Sequence, residues 1–239
     1  MRQALAVAAK APQPGTVKTR LHALLSKDDA TELYCCFLKD TLALMSSVPD
    51  IETVISYTPE GSEHFFNGII SNGARLLPQR GASFGDKLFH ALEDLLGEGY
   101  SSAAIMDADS PTLPREYLVR AFQELARAGD RVVLGPATDG GYYLIGVKRP
   151  HRQLFDRITW STELVLGETI ERAREIGLEV VLLPEWYDVD SVRELRQLRR
   201  ELAENNYGGA CGDGLNQARA ENTRAFILSR WPADNAFHK

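Results

Sequence analysis

Four clusters of charged residues in this 239-residue chain have types and spacings suited to holding anions and hard cations. The first is Lys10-Ala11-Pro12-Gln13-Pro14-Gly15-Thr16-Val17-Lys18-Thr19-Arg20, where two prolines stiffen the backbone and Gly15 permits a close approach. A rigid loop carrying Lys10, Lys18 and Arg20 suits a polyanion: Lys acts as a point charge, and Arg can grip two phosphate oxygens at once. A solvated loop with incidental charge is the alternative. The second cluster, Asp107-Ala108-Asp109, follows the apolar run Ala103-Ala104-Ile105-Met106. Side chains two apart in extended backbone project to one side, so Asp107 and Asp109 can face one cation. Carboxylates without a nearby imidazole or thiolate suit Mg²⁺ or Mn²⁺. The competing role is a helix cap by Asp109 or Ser110 ahead of Pro114.

The third cluster is Asp188-Val189-Asp190-Ser191. Asp188 and Asp190 are further metal candidates, although Asp190 or Ser191 would also make a good N-cap, with Glu194 spaced for a capping box. The fourth, Asp139-Gly140-Gly141-Tyr142, joins two apolar runs. Asp-Gly-Gly is foremost a hairpin signal, but the link exceeds the tight two-residue form. The extra length lets Asp139 and the amides of Gly140 and Gly141 line a pocket beside a metal. The histidines, His22, His64, His90, His151 and His238, show no metal spacing.

These residues need elements to position them. Strands are predicted at Gln3 to Ala9, Thr53 to Tyr57, Arg75 to Leu77, Ala103 to Met106, Arg131 to Gly135, Tyr142 to Val147 and Glu179 to Leu183. Helical periodicity marks Lys27 to Ser47, Asp86 to Leu96, Arg115 to Ala128, Thr162 to Ile176 and Ser191 to Glu204. Such alternation implies an α/β domain with a mostly parallel sheet covered by helices on both faces. In that class ligands gather beyond the carboxyl ends of the strands, where all four clusters fall. One domain is expected over residues 1–204. A C-terminal appendage follows over 205–239, comprising a glycine-rich loop and a helix from Leu215 to Ser229.

Composition excludes several classes. With 44% hydrophobic and 25% charged residues the chain is an ordinary globular protein, and a net charge of −6 argues against a nucleic-acid partner. Cys35, Cys36 and Cys211 form neither a metal pair nor an even disulfide framework, and no apolar run approaches a membrane span. A cytoplasmic location without a membrane partner is expected.

Taken in order, the motifs resemble a known family. They are Lys10-x-Pro12-x-Pro14-Gly15-x-Val17-Lys18-Thr19-Arg20-Leu21, Gly81-x-x-x-Gly85-Asp86-Lys87-Leu88, Asp107-x-Asp109-x-Pro111, Gly135-Pro136-x-x-Asp139-Gly140-Gly141-Tyr142-Tyr143 and Asp188-Val189-Asp190. The pattern, over roughly residues 1 to 200, resembles the bacterial GT-A-fold nucleotide-diphospho-sugar transferases, including glycosyltransferases associated with arsenosugar biosynthesis. It is similar more distantly to nucleotidyltransferases that make nucleotide sugars and to phospholactate guanylyltransferase.

The resemblance implies a three-layer α/β/α GT-A fold whose seven-stranded mixed sheet has the Tyr142 to Val147 strand antiparallel. It implies a nucleotide held in the first half by Lys10, Pro14, Gly15, Lys18, Arg20, Gly81, Asp86 and Lys87. A divalent Mg or Mn ion is implied on Asp109, with Asp107 or Asp190 nearby. Where the family usually has Gly-Glu-Arg-Leu, this chain has Gly85-Asp86-Lys87-Leu88, which replaces a bidentate fork by a point charge.

The leading expectation is a metal-dependent glycosyltransferase moving a sugar from a nucleoside-diphosphate sugar to a small-molecule acceptor. Lys18 and Asp139 would be catalytic, and Asp139, Gly140, Gly141 and Tyr142 would meet the acceptor. The alternatives are a nucleotidyltransferase coupling a nucleoside triphosphate to a phosphorylated small molecule, and a non-catalytic nucleotide-binding module.

Overall fold

The computed structural model of the chain describes residues 2–70, 73–204 and 220–230. Its strands are β1 (Gln3–Lys10), β2 (Ile51–Thr58), β3 (Arg75–Pro78), β4 (Ser102–Met106), β5 (Arg131–Pro136), β6 (Tyr142–Val147) and β7 (Glu179–Leu182). The helices are α1 (Lys27–Ser46), α2 (Phe84–Gly97), α3 (Arg115–Ala126), α4 (Val165–Glu175), α5 (Val192–Glu204) and α6 (Glu221–Arg230). The strands form one sheet in the order β3-β2-β1-β4-β6-β5-β7. Only β6 is antiparallel, paired with β4 on one side and β5 on the other. This is the mixed, mostly parallel α/β sheet expected.

The period of two in the strands explains the layers. Leu5, Val7, Ile55, Tyr57, Ala104, Met106, Val133 and Leu144 face α1 and α3 in one apolar cluster. Their neighbours Ala4, Ala6, Val54, Ala103, Ile105, Val132, Leu134 and Ile145 face α2 and α4 in the other. Because both faces are covered, the strands read as continuous apolar runs rather than alternating ones.

A third cluster lies outside α1. There Leu33 and Phe37 meet Leu195, Leu198 and Leu202 of α5, and Phe226 and Ile227 of α6. The predicted C-terminal helix is thus observed over Glu221–Arg230, while its first residues and the glycine-rich loop lie outside the described residues. Among the described residues no helix is long and apolar enough to cross a membrane.

Candidate functional site

The loop after β1 is built on local hydrogen bonds. Thr16 N and Oγ1 both donate to Gln13 O, at 3.0 and 2.9 Å, and Ala11 N donates to Thr58 O at 2.8 Å. Gly15 turns there with φ +81°. The loop closes on Lys18, which holds φ 48° and ψ 39° and caps a 3-10 turn over Thr19–Ala23. This left-handed conformation costs a residue with a Cβ roughly 1–2 kcal/mol.

The Lys18 side chain is only 4% exposed. Its ammonium donates to Val189 O at 2.8 Å and Asp190 Oδ1 at 2.9 Å, and lies 2.9 Å from Asp109 Oδ2. Lysine has three donors, and each has an acceptor.

Backbone bonds bring the acidic clusters together. Asp107 N donates to Tyr143 O at 2.9 Å, Val189 N to Asp109 O at 2.9 Å, and Thr138 N to Trp186 O at 3.0 Å. The loops after β4, β5 and β7 are therefore stitched side by side at the carboxyl end of the sheet. Asp107 accepts from Asp109 N at 3.3 Å and Ser110 Oγ at 3.0 Å. Ser191 and Glu194 supply the cap of α5, with Ser191 N donating to Glu194 Oε2 at 2.8 Å. Asp190 is thereby left to Lys18 and, at 3.4 Å, to Arg20.

Electrostatics follow from this crowding. Burial and the charges of Asp109 and Asp188 push the Asp107 carboxyl well above its ordinary range. Burial, Asp139 and Asp190 push Asp188 up to about 6. Burial opposes the charge of Lys18, but Asp109 and Asp190 outweigh it and raise its pKa. Burial likewise opposes ionisation of Asp190, yet Lys18 and Arg20 hold its pKa below the usual value.

A cleft of about 470 Å³ opens beside this cluster, bounded by the β1 loop, the ends of β2 and β3, and the start of α2. Of the residues expected to bind nucleotide, Lys10, Lys18, Arg20 and Lys87 line it, together with Asp109 and Asp190. Pro14, Gly15, Gly81 and Asp86 are not among its lining residues. Gly81 has φ +122°, and a Cβ there would stand 2.4 Å from Asp86 Cβ. Asp86 completes a capping box with Ser83 at the start of α2 and pairs with Arg152. Hydrogen bonds from Ser83, then Arg152, hold its carboxyl below the usual range.

Asp107, Asp188 and the β5–β6 turn lie outside the cleft wall. In that turn Asp139 Oδ1 accepts from Gly141 N at 2.8 Å, and a Cβ on Gly140 would meet Glu163 O at 2.3 Å. The Tyr142 hydroxyl is buried, and its ring meets Trp160 edge-on at 6.4 Å.

Sequence reasoning did not single out Thr16, Tyr34, Thr58, Gln79 and Phe84, all of which line the cleft. Tyr34 hides in the apolar stripe of α1, where it reads as core. Phe84, 51% exposed, occupies a variable position of the Gly81-x-x-x-Gly85 motif, so the motif did not mark it.

The donor set suits a hard cation. Asp109 Oδ1 is buried without a partner, and the surrounding acceptors are carboxylates whose mutual repulsion a divalent ion would relieve. Among the described residues no three acidic, histidine or cysteine side chains are disposed to hold an ion by themselves.

The bacterial family described as "Uncharacterized protein conserved in bacteria (DUF2064)" matches residues 41–162. A solved structure from Desulfovibrio desulfuricans G20, provisionally described as a nucleotide-diphospho-sugar transferase, is 30% identical. The match covers 96% of each chain, with a TM-score of 0.82. This chain belongs to that bacterial family.

Two more distant structures share the fold. CMP:2-keto-3-deoxy-manno-octonic acid synthetase complexed with CTP is 13% identical, covering 86% of this chain and 100% of that one, at a TM-score of 0.56. The 4-diphosphocytidyl-2C-methyl-D-erythritol synthase of Anaerococcus prevotii is 12% identical, covering 84% and 96%, at 0.53. A comparison with curated proteins finds no significant match.

Proposed function

We propose that this chain is a metal-dependent glycosyltransferase that moves a sugar from a nucleoside-diphosphate sugar to a small acceptor. The observation that carries the reading is the meeting, in one cleft, of the cations Lys10, Arg20 and Lys87 with the carboxylates Asp109 and Asp190. The 30% identical relative, described as acting on nucleotide-diphospho-sugars and matched over 96% of its length, supports the same class.

The three cations are lightly committed. Lys87 Nζ is 3.4 Å from Thr58 Oγ1, Arg20 Nη1 is 3.4 Å from Asp190, and Lys10 Nζ is 3.1 Å from Thr16 O. They are free to turn toward a diphosphate. Asp109, with Asp107 or Asp190 beside it, would hold Mg²⁺ or Mn²⁺, which when bound would supply positive charge against the departing diphosphate.

The acceptor side is the β5–β6 turn with Asp139, Gly140, Gly141 and Tyr142. The acceptor hydroxyl oxygen bonds to the anomeric carbon as the bond to the diphosphate oxygen breaks, and the diphosphate leaves with the electron pair. Asp139 takes the hydroxyl proton as general base. The segment between Arg131 and Lys148 holds no cation, which suits a neutral hydroxylated acceptor rather than a phosphorylated one.

An assay following both by-products tests the assignment. Incubation with nucleotide sugar, acceptor and Mn²⁺ should release a nucleoside diphosphate. Metal-dependent release of pyrophosphate from a nucleoside triphosphate would instead assign nucleotidyl transfer.

A further inference from the structure

The cation-rich loop contains one cation that is not available to an incoming anion. Lys18 Nζ has its three donors facing Val189 O, Asp190 Oδ1 and Asp109 Oδ2, all within 2.9 Å, and its side chain is almost fully buried. Its backbone is held in the left-handed region, and its ammonium also sits 5.7 Å from the centre of the Phe37 ring. Contact with a phosphate would require it to leave one of these partners, whereas Arg20 is 73% exposed with a single long contact to Asp190.

We propose that Lys18 is a positioning residue, the built-in counter-ion of the Asp109–Asp190 pair, which keeps a divalent ion from occupying that pair in the absence of nucleotide. The inference rests on the nucleotide-transferase reading of the cleft and assigns Lys18 a role different from phosphate binding. The physical reason is competition for the same lone pairs. An ammonium 2.9 Å from an oxygen of each carboxylate neutralises the charge a metal would seek, and it ties the loop after β4 to the loop after β7 at one spacing. Metal-site formation then favours the presence of a phosphate ligand that brings its own negative charge and oxygen donors.

The test compares Lys18→Met with Arg20→Met in the full chain, using Mn²⁺ alone and inorganic pyrophosphate alone as probes in calorimetric titration. Lys18→Met should tighten Mn²⁺ binding tenfold or more, against less than threefold for Arg20→Met. Pyrophosphate affinity should fall further in Arg20→Met than in Lys18→Met. A fall in pyrophosphate affinity larger in Lys18→Met, or Mn²⁺ tightening no greater than in Arg20→Met, would overturn the proposal.

Thermal unfolding gives a second readout. Lys18→Met should melt below the wild-type chain and regain most of the difference on adding Mn²⁺, because the ion replaces the missing charge. If Lys18→Met does not fold even with Mn²⁺, the Lys18→Met/Asp190→Asn double variant decides: recovered folding supports the counter-ion role, and continued failure overturns it. Failure of the transferase reading shows separately, as the absence of nucleotide binding by the wild-type chain in the presence of Mn²⁺.

Discussion

Asp109 is the residue on which the proposed chemistry most depends, because it lines the cleft and keeps one oxygen without a partner. Asp109→Asn preserves size but removes the charge that would hold a cation. It should fold and yet lose metal-dependent nucleotide binding by tenfold or more in calorimetric titration; unchanged affinity would remove Asp109 from the site. The phosphate clamp is best tested at Arg20. A charge-assisted contact is worth about 1.5–3 kcal/mol, so Arg20→Ala should weaken di- and triphosphates by roughly 10- to 150-fold while leaving the free nucleoside unaffected. Equal losses for both would show that the loop acts through folding. At this scale the sequence conveyed residue type but not commitment. Lys10, Lys18 and Arg20 all read as cations for a phosphate, and only the fold reveals that Lys18 is saturated by partners 91 and 172 positions away in the chain. The sequence left the cap of α5 open between Asp190 and Ser191, with Glu194 completing a box, and the fold gives it to Ser191 and Glu194.

Elements were far more legible than contacts, because strand and helix signals are local. All seven strands lie within two residues of their predicted limits, since each is a short apolar run bounded by turn residues. The antiparallel direction of β6 followed from the resemblance and from the hairpin signal of Asp139-Gly140-Gly141, not from periodicity, since a continuous apolar run carries no sense of direction. The start of α2 shows a motif whose spacing was readable and whose role was not. Gly81 and Asp86 were expected to bind nucleotide; in the structure Gly81 makes room for Asp86, which caps the helix through Ser83 N and Oγ. Ser83→Ala should therefore lower stability by about 1 kcal/mol, read from urea unfolding. Asp86→Asn should lower the thermal midpoint with nucleotide affinity unchanged within about twofold; a selective loss of affinity would restore the binding role. The hydrogen bonds from Ser83 and the Arg152 pair lower the folded-state pKa of Asp86. The stabilisation from its ionised form is thus present above the unfolded-state value near 3.9 and lost only as pH falls through the lower folded value.

At the scale of the whole molecule, a buried carboxylate helps to tie the C-terminal helix to the body. Asp40, buried in the middle of α1, accepts from Asn222 N at 3.0 Å, Asn222 Nδ2 at 2.8 Å and Thr223 N at 2.8 Å. It thereby caps the start of α6 across 182 residues of chain, where exposed N–H groups and the helix dipole favour a negative charge. The sequence set residues 205–239 apart as an appendage, and nothing in its local pattern could disclose that Asp40 serves as the cap, because the pairing is tertiary. The cluster α6 closes includes Leu21 beside Arg20 and Val189 beside Asp190, so its docking supports the floor of the cleft. Asp40→Ala should leave the N–H groups of Asn222 and Thr223 unpaired and cost about 2–3 kcal/mol in urea unfolding. Cys36 reports the same event chemically. Burial, reinforced by the charge of Asp40, raises its thiol to about 11, so at pH 8 it carries far less thiolate than an ordinary cysteine. Removing Asp40 loosens the cover and withdraws a negative charge, and both changes favour the thiolate. Iodoacetamide labelling of Cys36 followed by peptide mass analysis should therefore accelerate at least tenfold in Asp40→Ala. An unchanged labelling rate together with an unchanged urea midpoint would mean that α6 does not depend on Asp40 for its place.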